Sequence, residues 1–362
     1  MSIAGTVRAQ VYQTPPLDTL IPPGSTGGGT AFQPGVTVTS RARPDYDSSG
    51  VTLGNFTIRP QMSEGVGYDS NVAATSKPQG SPVIETYASL AASGDWATSN
   101  VQAELTVDNN RFPTQDRQSY TNWSASIGGS HQFGQDVASA WFSHQALTQT
   151  PASLDVPQLD SALPYTIDIG SVAYRANFNR FFVTPAVQVA SYNFTNGTVQ
   201  GVPYVQTFQD RVVVTPSVTL GYELSPRRDL VMVIRNATAN FSNQVPGIPA
   251  QNYNDTAVLG GFDYDADGVI RYRVLVGYEI RTFQSEAYKN IEAPVAEASA
   301  IWTPTGLTTV TGTIARQIED SSDATTAGYT ETYVQARVDH EYLPNVLLRA
   351  SAGAYFTGYQ SG

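Results

Sequence analysis

The sequence predicts an all-β protein: a transmembrane antiparallel up-and-down β-barrel of about fifteen strands, preceded by a disordered N-terminal segment. Three observations predict this fold. The composition is that of strands and turns, apolar and polar residues alternate along most of the chain, and the connections between the predicted strands are short and long in turn.

The composition excludes several classes of protein. The 362 residues include no cysteine, which rules out disulfides, thiolate zinc sites and cysteine nucleophiles. The net charge of −11 argues against a nucleic-acid partner, because phosphates require a basic surface. Only 14% of the residues are charged, whereas about a quarter is typical of soluble domains. No apolar run is long enough for a transmembrane helix, but a transmembrane strand needs only about ten residues of alternating character.

The N-terminal region divides into two parts. The residues at 7–9 form a small-residue pattern like the end of a secretory signal, so 1–9 is either a signal-peptide remnant or a chance match. Residues 10–53 are rich in Pro, Gly, Ser and Thr without a lasting period, which predicts a disordered periplasmic segment. Residues 54–362 form the predicted outer-membrane barrel.

Alternation with a period of two begins near Asn55 and continues along the chain. In VQAELTVD, Leu105 and the other apolar residues face one side, while Glu104 and the other polar residues face the opposite side. The predicted strands are about 10–15 residues long, against about 5–6 in globular proteins. They lie near 55–68, 83–93, 100–110, 118–132, 136–146, 165–177, 181–194, 210–224, 229–241, 254–264, 269–283, 291–303, 306–319, 328–342 and 346–359.

The connections carry the strongest signal. Tight turns such as SPRR, TP and LPN alternate with long segments rich in Pro, Gly, Asn, Asp, Ser and Thr. Outer-membrane barrels have short periplasmic turns and long extracellular loops, and closing the sheet removes its exposed edges. Aromatic residues stand beside the short turns, where an aromatic girdle at the periplasmic interface would lie. The predicted girdle residues are Tyr222, Tyr264, Trp302 and Tyr342.

The odd number of predicted strands conflicts with the even number found in single-chain bacterial barrels. Fifteen strands that start in the periplasm would end outside the cell, and the sequence has no final strand that ends in an aromatic residue. We therefore expect a barrel that is incomplete at its C-terminal end, with about 16–18 strands in the intact chain. A miscount by one strand is the alternative.

The polar faces of the strands should line the lumen, because lipid penalises a midplane Arg by about 2–4 kcal/mol. This face carries charges of both signs, and two interpretations fit it. One is a wet pore or an oligosaccharide path, and the other is a solvated face whose cross-strand ion pairs contribute little. The candidate lumen-lining residues are Glu104, Arg271, Arg273, Glu279, Arg281, Arg337, Asp339, Glu341 and Arg349.

One acidic segment raises the question of a metal site. In FDYDADG, the aspartates and the glycine match the first positions of an EF-hand calcium loop. However, Val274 stands where the loop needs a bidentate glutamate, and no helices flank the segment. We interpret residues 265–268 as a tight hairpin turn and predict no metal and no cofactor.

The sequence also offers no catalytic constellation. By parity the three histidines fall on the apolar, outward face, and nothing pairs a particular serine with any of them. We therefore predict interfacial histidines and no enzyme activity. The three residues are His131, His144 and His340.

Several segments carry a family resemblance. RPDYDSSGVTLGNFTIRPQMSEGVGYDSNV, and later hairpins such as TPSVTLGYELSPRRDLVMVIR and GGFDYDADGVIRYRVLVGYE, are similar to those of outer-membrane proteins known as the putative β-barrel porin 2 family. The resemblance covers about 43–362. It implies an outer-membrane location in Gram-negative bacteria and, for many members, service in exopolysaccharide or capsule export. Family members normally continue into further hairpins, and the family implies no catalytic residues.

Three functional interpretations remain open at this point. The first is a porin-like barrel with a polar lumen, held in outer-membrane lipid, that serves polysaccharide export together with an export or assembly complex. The second is a non-transporting structural or adhesion barrel that uses its long extracellular loops. The third is a secreted soluble β-protein.

Overall fold

The computed structural model describes residues 37–41, 43, 50–151, 153, 156–265, 268–323, 326 and 328–359. Within these residues the chain is built from β-strands, with two single-turn 3-10 helices at Asp116–Gln118 and Thr207–Gln209. The strands are β1 (Val51–Leu53), β2 (Phe56–Asp69), β3 (Ser81–Asp95), β4 (Ser99–Arg111), β5 (Tyr120–Phe133), β6 (Asp136–Gln149), β7 (Leu163–Phe178), β8 (Phe181–Phe194), β9 (Gly197–Val199), β10 (Val202–Tyr204), β11 (Arg211–Ser225), β12 (Arg228–Phe241), β13 (Tyr253–Tyr264), β14 (Ile270–Phe283), β15 (Ile291–Thr305), β16 (Thr308–Asp320), β17 (Gly328–Leu343) and β18 (Val346–Tyr359).

Sixteen of these strands form one antiparallel meander, in which each strand pairs with its neighbours along the chain. Fifteen of them contain 12 to 16 residues, which confirms the predicted strands and their unusual length. The sixteenth is the short β1, which pairs with β2. β9 and β10 form a separate hairpin inserted between β8 and β11.

The alternation in the sequence decides which way each side chain points. In β13, Leu259 is fully buried, while Val258 beside it is 42% exposed. In β14, Leu275 is fully buried and Val276 is 59% exposed. The exposed face, called here the outer face, therefore carries large apolar side chains. Such a face is stable against lipid and unfavourable in water, where each exposed Å² of apolar surface costs about 25 cal/mol.

The connections alternate in length as predicted. Turns of two to five residues join the strands at one of their ends, and loops of seven to sixteen residues join them at the opposite end. The two-residue turn after β5 contains Gly134 at φ +63°, a conformation that favours glycine. These two ends of the sheet are called the turn end and the loop end below.

The sheet curls strongly around its other face. Arg211 in β11 and Asp320 at the end of β16 are five strands apart in the sheet order, yet Nε of the arginine lies 2.8 Å from Oδ2 of the aspartate. On a flat sheet, strands that far apart would be separated by about 24 Å. The face that carries this ion pair is therefore concave, and it is called the concave face.

The two ends of the meander are formed by β1 with β2 and by β18. Within the described residues, no backbone pairing joins β18 to β1 or β2. The expectation of further strands in the intact chain stays a prediction.

Domain boundaries were expected at 9 and 53. Residues 1–36 lie outside the described residues, which leaves the signal remnant and most of the N-terminal segment undescribed. Val51 begins β1 three residues ahead of the predicted start of the barrel. Among the described residues, no helix has the length and apolar character required to cross a membrane.

Candidate functional site

All nine predicted lumen residues lie on the concave face. Cross-strand register connects four of them: Arg271 lies in register with Arg337 through two intervening strands, and Asp339 pairs with Arg349. The nine differ in burial. Arg273, Glu279, Arg281, Asp339 and Glu341 are buried, Arg271 and Arg337 are intermediate, and Glu104 and Arg349 are exposed.

At the loop end, Arg281 is the centre of a buried ionic network. Its Nε donates to Asp255 Oδ2 at 2.9 Å, its Nη1 to Asp320 Oδ1 at 2.6 Å and its Nη2 to the carbonyl of Ile318 at 3.0 Å. The guanidinium also lies 4.0 Å from the ring centroid of Tyr253. Each of the three guanidinium nitrogens therefore has an acceptor, and two carboxylates balance the charge, which are the conditions under which a buried charge is tolerated.

Two further arginines extend this network. Arg211 reaches Asp320 from the far side and lies 4.2 Å from the ring centroid of Tyr192. Arg235 Nη2 donates to Glu279 Oε2 at 3.1 Å. The loop-end network, defined as Arg211, Arg235, Asp255, Glu279, Arg281 and Asp320, contains three basic and three acidic residues.

Sequence reasoning identified only two members of this network, Glu279 and Arg281. Asp255 was predictable, because it stands at concave parity in β13. Arg211 and Asp320 were not, because an alternation pattern does not say which distant strands the curvature brings together.

The turn end carries a second set of ion pairs. Arg273 donates to Asp263, and Arg271 Nε lies 2.6 Å from Asp265 Oδ1. Arg227 Nη2 donates to the other oxygen of Asp265 at 2.5 Å. The aspartates of the EF-hand-like segment that the structure describes thus face arginines, and Asp267 lies outside the described residues.

A part of the N-terminal segment reaches the concave face near the turn end. Arg41 and Arg43 both donate to Glu341 Oε2, at 2.5 Å and 2.9 Å. The backbone N–H of Val38 donates to Thr309 Oγ1 at 2.9 Å, and the side chain of Val38 is 2% exposed. Residues 37–43, as far as they are described, therefore lie against β16 and β17, although the composition favours disorder.

The neighbouring ion pairs belong to Asp339. Arg349 Nε donates to its Oδ1 at 2.6 Å, and Arg337 Nε lies 3.0 Å from its Oδ2. This side of the concave face is more open than the loop-end network, since the side chains of Arg337 and Arg349 are 38% and 49% exposed.

Between the two charged ends, the concave face is apolar in β8 and β12–β15. The apolar cluster consists of Phe182, Val231, Val233, Ala257, Leu259, Leu275 and Val295, all at most 6% exposed. The polar lumen expected from the sequence therefore includes an apolar region in this part of the sheet. The missed signal is the continuous apolar run, as in Leu230–Ile234, which predicts a strand buried on both faces.

The four predicted girdle residues lie on the outer face beside short turns. Tyr264 stacks on Tyr272 with ring centroids 5.0 Å apart, and Tyr222 packs on Phe181 at 4.8 Å. Trp302 and Tyr342 are 47% and 67% exposed. Other aromatic pairs stand at the same end, among them Phe56 with Trp96 and His131 with Phe133.

The histidines make ordinary local contacts on the outer face. His131 Nδ1 is 2.7 Å from Ser99 Oγ and His340 Nδ1 is 3.0 Å from Thr308 Oγ1, both near the turn end. His144 Nδ1 lies 2.7 Å from Asp168 Oδ1, towards the loop end. In the part of the chain that the structure describes, no group of three or more potential metal ligands is assembled.

Comparison with known proteins gives a matching family model and similar solved structures. The family model described as Putative beta-barrel porin 2 matches residues 43–362. No curated protein sequence matches the chain. Among solved structures, the chain is similar to the ferric yersiniabactin uptake receptor FyuA from Yersinia pestis, with a TM-score of 0.36 and 10% identity over 84% of this chain and 67% of that chain.

Proposed function

Because the chain belongs to the Putative beta-barrel porin 2 family, we propose that this outer-membrane β-barrel is a porin-like conduit that serves exopolysaccharide or capsule export. The family is a porin family and not an enzyme family. Membership implies a lipid surround for the outer face. The polymer, an export or assembly complex as partner, and a periplasmic N-terminus are parts of the proposal.

The observation that carries the proposal is the separation of the two faces. Charged side chains of both signs collect on the concave face, and large apolar side chains cover the outer face. A hydrophilic polymer is a suitable solute for such an interior, because sugar hydroxyls exchange hydrogen bonds readily with arginine and carboxylate groups. In this proposal the predicted lumen residues line the path and the four aromatic residues anchor its turn end.

A specific observation favours a second candidate, a non-transporting structural or adhesion barrel. The apolar cluster and the ion pair between Arg211 and Asp320 fill the space inside the curled sheet between β8 and β16. An apolar constriction of this kind resists wetting and would oppose the passage of ions.

A matched pair of substitutions distinguishes the two functions. Leu275→Ser places a hydroxyl in the apolar cluster, and Val276→Ser places the same group on the outer face one residue later. If the barrel is a conduit, we expect the wild-type protein to conduct ions in planar bilayers. The conductance should be higher for Leu275→Ser and nearly unchanged for Val276→Ser. Silence of all three proteins, with unchanged polymer export in a deletion strain, would support the non-transporting barrel.

A further inference from the structure

A polar cavity of about 680 Å³ opens among the long loops at the loop end. Its walls come from the loop between β2 and β3, the loop between β4 and β5, the loop between β6 and β7, and the tip of the β9–β10 hairpin at Gln200. None of the predicted lumen or girdle residues lines it. The cavity is therefore separate from the candidate site on the concave face.

Hydrogen bonds between different loops hold the walls together. Gln115 Nε2 donates to Gln79 Oε1 at 3.1 Å, and Thr114 Oγ1 donates to the carbonyl of Gly80 at 3.1 Å. The backbone N–H of Ala162 donates to the carbonyl of Arg117 at 3.2 Å. Because these bonds join separate loops, the cavity is already formed without a ligand. Binding would therefore cost less conformational entropy than it would if the loops had to become ordered.

Asp160 holds the tip of the β9–β10 hairpin, which forms the fourth wall of the cavity. Its two carboxylate oxygens accept from the backbone N–H groups of Gln200 and Gly201, each at 2.8 Å. Both of these residues have positive φ, +52° and +76°, as a two-residue hairpin turn requires. The carboxylate thus holds the tip of the β9–β10 hairpin against the cavity.

The lining is rich in groups that both donate and accept hydrogen bonds. Five glutamines and three hydroxyl residues contribute to it, and its two basic residues, Lys77 and Arg117, are matched by two acidic ones, Asp116 and Asp160. An amide pairs with a sugar hydroxyl in either direction, and the balanced charge gives no preference for an anion. No aromatic residue is among the described residues of the lining, so recognition by these residues would depend on hydrogen bonds and not on stacking.

Gln118 supplies an independent observation. Gln118 is only 6% exposed, and its Nε2 donates to the carbonyl of Asp160 at 3.4 Å. Its Oε1 is buried and has no hydrogen-bond partner among the described residues. A buried acceptor without a donor costs free energy, and because Gln118 lines the cavity, a shift of its side chain towards a bound hydroxyl would recover that cost.

We propose that this loop-end cavity binds a segment of a neutral oligosaccharide. The inference rests on the proposed function for the source of that saccharide, which would be the exported polymer, and on the cavity alone for the site and the ligand class. Gln118 and Gln158 are assigned to hydrogen bonds with sugar hydroxyls.

The test uses the full chain, purified in detergent and screened on an array of neutral and uronate-containing oligosaccharides. Neutral oligosaccharides that bind are then titrated by calorimetry. We expect Gln118→Leu and Gln158→Leu each to weaken their binding about tenfold, as the loss of one hydrogen bond predicts. Gln158 is exposed, so its variant should fold even if Gln118→Leu does not. Gln135→Leu, an exposed glutamine in a short turn at the opposite end, should leave binding unchanged.

Three outcomes would overturn the inference: no neutral oligosaccharide binds, uronate-containing chains bind better than neutral ones, or Gln135→Leu weakens binding as much as Gln158→Leu. Conductance in planar bilayers separates this result from the proposed function. If the barrel binds saccharide but does not conduct, the proposed binding site is supported and the proposed conduit is contradicted. If it conducts but does not bind saccharide, the conduit is supported and the binding site is contradicted.

Discussion

At the scale of single residues, the face on which a side chain lies decides its surroundings. Glu104 and Leu105 are neighbours in β4, but Glu104 pairs in register with Ala91 and Ser126 on the concave face. Leu105 pairs with Leu90 and Ala125 on the outer face and is 43% exposed. The two positions therefore offer a direct test of which face meets lipid.

We expect Leu105→Arg to impair membrane insertion, because an arginine at the bilayer midplane costs about 2–4 kcal/mol. Glu104→Arg should insert normally and change only the ion preference of the interior. Heat-modifiable gel mobility of the protein refolded into lipid vesicles measures insertion for both variants. Equal insertion of the two variants would contradict the assignment of Leu105 to the lipid-facing side and Glu104 to the interior.

Asp160 predicts a pH dependence at the loop end. The backbone N–H of Gly201, with smaller contributions from Thr198, Gln200 and Arg117, lowers the pKa of this carboxyl below its usual value. A carboxyl whose pKa is lower in the folded state stabilises that state above its unfolded pKa, about 3.9. The stabilisation is lost as the pH falls through the folded-state pKa.

Amide hydrogen exchange at Gln200 and Gly201 follows this effect. Protection factors should be highest at neutral pH and fall progressively below about pH 4, when the carboxylate is protonated. Asp160→Asn should show low protection at every pH, whereas Asp116→Asn, an exposed neighbour in the cavity lining, should retain the wild-type profile. A flat profile in the wild type would contradict the role given to Asp160.

At the scale of elements, β13 and β14 come close enough to demand glycine at particular positions. A Cβ atom added to Gly261 would lie 1.8 Å from the carbonyl oxygen of Val274, and one added to Gly277 would lie 2.0 Å from that of Val258. Gly260, next to Gly261, would have no heavy atom within 4 Å of its added Cβ. Only one glycine of the Gly-Gly pair is therefore required by packing.

Gly261→Ala should destabilise the protein by about 3 kcal/mol, because a backbone carbonyl cannot move aside without shifting the strand. Gly260→Ala should change stability by less than about 0.5 kcal/mol. Unfolding by urea in lipid vesicles, followed by tryptophan fluorescence, compares the two. Equal midpoints would show that the close approach of β13 and β14 is relieved by other means.

Residues 41 and 43 of the N-terminal segment share one carboxylate of the sheet as their acceptor. Removing the charge of Glu341 leaves Arg41 and Arg43 without their shared acceptor, while the bond from Val38 to Thr309 persists. We expect Glu341→Gln to accelerate tryptic cleavage after Arg41 about tenfold, which corresponds to the loss of one charge-assisted hydrogen bond.

The control is Glu331→Gln, which removes a buried carboxylate from the same strand and face at its other end. Mass spectrometry of the released peptide gives both rates. If Glu331→Gln exposes Arg41 to the same extent, general loosening of β17 and not the local ion pair controls the segment.

At the scale of the whole molecule, the loop-end network joins strands that the meander keeps apart. Asp320 binds Arg281 from β14 and Arg211 from β11, so one carboxylate connects three strands of the curled sheet. Breaking a buried ion pair leaves the partner charges without compensation in a medium of low dielectric constant.

Asp320→Asn should therefore lower the free energy of unfolding by about 3 kcal/mol, and Asp95→Asn, at the exposed last residue of β3, should have almost no effect. The unfolding midpoint in urea and the temperature of the heat-modifiable mobility shift both report the change. Normal stability of Asp320→Asn would mean that the curvature is maintained by the apolar cluster alone.

The sequence by itself determined the strand class, the positions of fifteen long strands, the alternation of short turns and long loops, and the face of the nine charged residues predicted to line the lumen. These properties follow from period-two alternation and turn chemistry, which are local along the chain. The resemblance of residues 43–72 and the later hairpins identified the family correctly.

The tertiary structure decided everything that depends on curvature. It brought Arg211 to Asp320 and buried the apolar cluster on the same face as the charged residues. It also placed Arg41 and Arg43 on Glu341 and formed a cavity among three loops and the tip of the β9–β10 hairpin. The physical reason is the same in each case: alternation specifies a side of the sheet, whereas distances between strands far apart in sequence are specified only when the sheet curls.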